Sequence, residues 1–110
     1  MKSYVIDEIP REDMAKIEDY LGATCMPSGI ERLFWVEVPV ECLSVIQAEH
    51  NACLPHVFAI ETGTDWVRAE FFIRTLNDLR CPCSGYCTMR QRKYILGYME
   101  NIIGKLGIRT

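Results

Sequence analysis

The chain has 110 residues, 49% hydrophobic, 25% charged and 10% aromatic, with mean hydropathy +0.01 and a formal net charge of −3. That balance excludes a disordered tail, a fibre and a coiled-coil rod, and the length suits one domain built on one core. No apolar run approaches the roughly 20 residues of a membrane span, and Asp7 and Glu8 interrupt the start before a signal-peptide core forms. The expectation is a single cytoplasmic domain over residues 1–110 with no membrane partner.

Residues 3–9 alternate Tyr4 and Ile6 against Val5, Asp7 and Ile9, which predicts a first strand. Pro10 suits the first turn of a helix, where its missing N–H is no loss, and Glu12 and Asp13 face the positive end of the dipole. Met14, Ile17 and Leu21 follow at helical spacing, with Gly22 as the expected C-terminal stop. A loop over 23–29 turns at Pro27-Ser28-Gly29, and 31–38 alternates as a second strand. Pro39 repeats the helix-start signal, with Cys42, Leu43 and Ile46 as the buried stripe of a second helix ending near Asn51. Residues 57–62 and 66–75 flank Gly63-Thr64-Asp65 as a hairpin. In its second arm Val67, Ala69, Phe71 and Ile73 share one face, opposite Trp66, Arg68, Glu70, Phe72 and Arg74. The last helix runs from about Thr88 to Leu106, with Ile95, Met99, Ile102 and Leu106 as its core face and Gly107 as its stop.

The element order is β-α-β-α-β-β-α. A helix joining the first two strands predicts a parallel pair, and the hairpin adds antiparallel strands, giving an α/β fold on a mixed four-stranded sheet. An open α+β two-layer sandwich fits the same string. The order resembles that of the thioredoxin fold, and Pro55 stands just before the third strand, where that family places a cis-proline. The family's Cys-x-x-Cys is absent: Pro10-Arg11-Glu12-Asp13 stands at the start of the first helix, so the resemblance implies a fold and no thioredoxin chemistry.

Charge is distributed unevenly. Residues 80–110 hold six basic residues against Glu100 alone, whereas the rest holds six basic and fourteen acidic ones. A solvated basic face is the simpler reading, and a site for an anion or an acidic protein partner the functional one. Six cysteines are many for a reducing compartment and few for a disulfide scaffold, so metal or redox chemistry is the first reading of a cysteine cluster.

That cluster is Cys81-Pro82-Cys83-Ser84-Gly85-Tyr86-Cys87, just before the last helix. Proline and glycine allow tight turns that bring thiols together, and a helix N-terminus favours thiolate over thiol. Arg80, Arg90, Arg92 and Lys93 add positive charge where a first helical turn ordinarily carries acid. His50-x-x-Cys53-x-x-His56 supplies further candidate ligands for zinc, which needs four. An iron–sulfur cluster ranks below zinc because the spacing matches neither common ferredoxin run. A redox pair among Cys81, Cys83 and Cys87 needs no fourth ligand, and inert, partly buried thiols are the structural alternative. Cys42 reads as core and Cys25 as an uninformative loop thiol.

Gly97 and Gly104 each cost the last helix about 1 kcal/mol relative to alanine. With Tyr94 and Tyr98 beside them they mark a candidate homodimer face. No phosphate-binding glycine loop, zincin motif or nucleophile elbow is present, and enzymatic status stays open. Nucleic acid is a poor expectation at a pI near 5.3 without a recognised module.

Overall fold

In β1 (Ser3–Ile6), Tyr4 and Ile6 point to the core side, as the alternation predicts. A computed structural model describes residues 2–77 and 81–109. Pro10 caps α1 (Arg11–Thr24), whose first turn carries Glu12 and Asp13 and whose inner face buries Met14, Ile17 and Leu21. Chain reversal through Gly29, held at φ +82°, links the short β2 (Met26–Pro27) to β3 (Leu33–Glu37). A 3-10 turn (Val40–Cys42), the five-residue α2 (Val45–Glu49) and a second 3-10 turn (Asn51–Cys53) lead to β4 (His56–Thr62). The Leu54–Pro55 peptide that enters β4 is cis. Next come β5 (Val67–Glu70), β6 (Phe72–Thr75), the two-residue β7 (Gly85–Tyr86) and α3 (Met89–Lys105). Thr88 caps α3, and Gly107 at φ +67° follows its end.

The strands lie in the order β1-β5-β4-β3-β2, with β6 pairing the other end of β4 and β7 pairing β6. Registers Tyr4↔Ala69, Ile60↔Ala69 and Phe34↔Ile60 align one sheet face. That face meets α1 and α3 in a single cluster containing Ile17, Leu21, Phe58, Ile60, Ile95 and Met99. Burying each such side chain is worth about 1.5–3 kcal/mol. The opposite face is wetter and carries an Arg68–Glu61 ion pair between β5 and β4. The result is the two-layer α+β sandwich of the two expected architectures, with the β-α-β-α-β-β-α order kept.

Three details differ from expectation. The sheet is antiparallel and has seven strands; the expected parallel pair and mixed four-stranded sheet are not formed. The chain leaving α1 lands at the far edge, on β2, so β5 and β4 come to lie between β1 and β3. Helix α1 runs two residues past Gly22, which holds no left-handed conformation, and ends where the Cys25 N–H bonds the Leu21 carbonyl. The expected helix from Pro39 to Asn51 is broken at Leu43, which is extended (ψ 146°), and Ser44 starts a fresh helix. Cys42 and Leu43 still pack on the core, whereas Ile46 turns outward.

Candidate metal centre

Four donor atoms converge at the end of the sheet where β4 begins. The Nδ1 of His50 and the Sγ atoms of Cys53, Cys81 and Cys83 all lie within 4.8 Å of one another. His50 Nδ1 is 2.9 Å from Cys81 Sγ and 4.0 Å from Cys53 Sγ, and Cys81 and Cys83 Sγ are 3.1 Å apart. Cys53 and Cys83 are buried while Cys81 is half-buried, and all six cysteines of the chain are free thiols.

Long-range pairing brings these residues together. His50 caps α2, Cys53 closes the following 3-10 turn, and the register His56↔Thr75 sets β6 beside that entry. Thr75, fully buried, donates its hydroxyl to the Cys53 carbonyl, and Asn77 donates its side-chain amide to the Ala52 carbonyl. The Thr75 N–H in turn donates to Ser84 Oγ at 3.1 Å, tying the second cysteine loop to the same strand end.

Two helix starts hold that loop from the other side. Ser44-x-x-Gln47 and Thr88-x-x-Gln91 each form a complete capping box. Their glutamines are nearly inaccessible, and Gln91 Nε2 donates to Gln47 Oε1 at 2.7 Å. Gln47 Nε2 then donates to the Cys83 carbonyl at 3.0 Å. Buried polar groups of this kind fix geometry because any unpaired member is expensive. The spacing Ser/Thr-x-x-Gln was the sequence signal for Gln47 and Gln91; Thr75 and Ser84 had none.

Electrostatics differ from thiol to thiol. Hydrogen bonding from Cys53, then from the Cys83 thiol and backbone N–H and from His50, outweighs desolvation and lowers Cys81 to about 6. Burial, reinforced by the neighbouring sulfurs, pushes Cys83 up to about 12. Cys87 stands apart from the four: its N–H bonds the Phe71 carbonyl, and burial raises its thiol to about 11 against the pull of Arg92. Arg92 stacks on the Phe71 ring at 4.8 Å, Arg90 and Lys93 are exposed, and Arg80 lies outside the described residues. Among the described residues, the low Cys81 value arises from sulfur, backbone N–H and imidazole neighbours, with no guanidinium contribution.

His56 is fully buried, with Nε2 3.4 Å from Cys83 Sγ and Nδ1 lacking a partner among the described residues. Burial, with the charge of His50, lowers its pKa. A neutral ring donating Nε2–H to a Cys83 thiolate leaves Nδ1 as a bare acceptor, the less costly orphan. The donor set fits a soft, tetrahedral cation: three thiolates and one imidazole, with a hydrogen bond from beyond the ligands to one sulfur.

On α3, an added Cβ at Gly97 or Gly104 would meet nothing within 4 Å of the chain. Tyr94 and Tyr98 both turn edge-on to Phe58, so much of their ring surface serves the chain's own core. Among the described residues, no helix is long and apolar enough to cross a membrane. No family model, curated protein or solved structure matches the chain, and the functional reading rests on this geometry.

Proposed function

We propose that the protein is a zinc protein whose ion is held by His50 Nδ1 and the thiolates of Cys53, Cys81 and Cys83. What carries this reading is the convergence of those four donor atoms within 4.8 Å. Zinc–sulfur bonds of about 2.3 Å and zinc–nitrogen bonds of about 2.0–2.1 Å imply tetrahedral edges of about 3.5–3.8 Å. The separations of 2.9, 3.1 and 4.0 Å bracket those edges. Sulfur and imidazole donors favour zinc over calcium or magnesium, which take oxygen. Three cysteines in one tight group also suit a single ion better than an iron–sulfur cage.

Four protein ligands leave no open position, which makes the role structural rather than catalytic. The bound ion supplies a cross-link between two loops distant in sequence. The chain's own residues prepare it: neighbours hold Cys81 near deprotonation, His56 donates to Cys83, and Gln47 fixes the Cys83 carbonyl. Elemental analysis of protein purified without chelator tests the reading. About one zinc per chain is expected, lost in Cys53→Ser and Cys83→Ser and kept in Cys87→Ser. Metal-free wild-type protein that stays so after incubation with zinc would overturn it.

A redox reading shares the thiols and is favoured by the 3.1 Å between Cys81 and Cys83 Sγ. With hydrogen peroxide as oxidant, Cys81 thiolate attacks one oxygen and releases hydroxide, leaving a sulfenic acid. Cys83 thiol then displaces water from that sulfur as the disulfide forms. In all, two thiols and one peroxide give one disulfide and two waters. Loss of two alkylatable thiols, mapped to Cys81 and Cys83, would support this chemistry in metal-free protein.

A further inference from the structure

We propose that the N-terminal half of α3 is a docking surface for an acidic peptide segment bearing an aliphatic anchor. This inference is independent of the metal reading and begins with charge. Lys16, Arg32, Arg68 and Arg74 each hold an acidic partner. Among the described residues, Lys2, Arg11, Arg90, Arg92, Lys93, Lys105 and Arg109 form no ion pair.

Three of those seven, Arg90, Arg92 and Lys93, cluster in the first turns of α3, where positive charge opposes the dipole and acidic residues are ordinarily favoured. An anion docked there would offset that charge. Two of the cations are also held in place by aromatic rings. Arg92 stacks on Phe71 with its guanidinium carbon 4.8 Å from the ring centre, and Lys2 Nζ sits 5.3 Å over Tyr86. A charge oriented in advance loses less freedom when it binds.

The shape suits a peptide. Met89, Arg90, Arg92, Lys93 and Leu96 line a groove of about 460 Å³. Met89 is 82% exposed and lies beside Leu96 and the three cations, which places apolar surface next to positive charge. Arg92 also lines a smaller cleft of about 180 Å³ with Lys2, Tyr86 and Cys87, so the two depressions meet at one side chain. Methionine, arginine and tyrosine are enriched at protein interfaces, and methionine adapts to varied apolar anchors.

A nucleic acid fits less well. Phosphates would satisfy the cations but have nothing to place against Met89 and Leu96. The exposed ring nearby, Tyr86, stands T-shaped to Phe72 at 5.2 Å with Lys2 over it, so the groove offers no series of rings on which bases could stack. An acidic peptide supplies both carboxylates and an apolar side chain.

Fluorescence anisotropy on the full chain as purified tests the proposal. The probe is a short labelled helical peptide with leucines at every third or fourth position and glutamates between them. Binding that weakens with salt is expected, as is a loss of about tenfold or more in Arg90→Glu/Lys93→Glu. That variant puts acid at a helix start, so its thermal midpoint should hold or rise, which separates lost binding from lost folding. Met89→Ser should weaken binding without changing its salt dependence. Four outcomes overturn the proposal: no binding, equal binding of a lysine-for-glutamate peptide, equal binding of a peptide with serines for leucines, or tighter binding of a single-stranded oligonucleotide.

Discussion

Ile17, Leu21, Phe58, Ile60, Ile95 and Met99 fill the space between the helices and the sheet, each at most 1% exposed. At the end where β4 begins, Gln47, Gln91, His56, Thr75 and Cys83 are nearly as inaccessible, at most 3%, yet all are polar or carry sulfur. The first group is held by area removed from water, which is non-directional and survives small adjustments. The second is held by directed bonds, each of which becomes a penalty when its partner is removed. Regular structure follows the same division. Helices of 14 and 17 residues flank the apolar region, whereas α2 has five residues between two 3-10 turns. A bound ion of the kind proposed would cross-link the polar end, where less regular structure holds the chain.

Substitutions can break this contrast in order of size. Phe58→Ala should cost about 3–5 kcal/mol in denaturant unfolding, by the same amount with metal or with chelator. Chelation of the wild-type chain should cost about 3–4 kcal/mol relative to protein with free zinc at 100–1,000 times its dissociation constant. Hydrogen exchange should then rise first in residues 50–56 and 81–84, with the β4–β5 ladder unchanged. Equal acceleration throughout would mean that the two regions are one cooperative unit. Gln47→Leu leaves the Gln91 amide, the Ser44 N–H and the Cys83 carbonyl without their partner. A loss of about 1–3 kcal/mol is expected, together with zinc affinity weakened by about 10–100-fold, measured by competition with a chromogenic chelator.

The apolar region was readable because its pattern is local. Ile95, Met99 and Ile102 mark the core face of α3 at the spacing of the helix itself, and Val67, Ala69, Phe71 and Ile73 mark theirs by alternation. The Gly63-Thr64-Asp65 turn likewise fixes β4 against β5, with Gly63 packed under the Trp66 ring where no Cβ fits. Pairing of β1 with β5 was not readable, because nothing local in Ser3–Ile6 specifies a partner more than sixty residues on. The polar end was half legible. Cys81 and Cys83 were visible as a pair, and His50 and Cys53 as further candidates. Nearness in sequence suggested Cys87 as the third member; it lies outside the four-donor group, because β7 carries the chain on and the Cys87 N–H bonds the Phe71 carbonyl. Local spacing predicts what a helix or strand face will bury, and it does not predict which loops a sheet register will bring together.

Extremes of pH sharpen the contrast, because the two regions should fail at opposite ends of the scale. With zinc held as proposed, binding releases thiol protons, so acid should compete for Cys53, Cys81 and Cys83 and open the polar end first. The apolar region has its own titrating group in Tyr98, which lies edge-on to Phe58 at 5.8 Å with its hydroxyl 3.5 Å from Cys25 Sγ. Burial, then the Cys25 neighbour, raises Tyr98 above its ordinary 10.0. The unfolded chain therefore loses this proton near pH 10 while the folded chain keeps it. With fewer protons bound in the unfolded state, stability falls as pH rises above about 10. Tyr98→Phe removes that linkage, so its denaturation midpoint should decline less steeply than wild type between about pH 9.5 and 11. Parallel declines in the two proteins would show that the alkaline limit lies elsewhere, with Tyr94, also raised by burial, the next residue to replace.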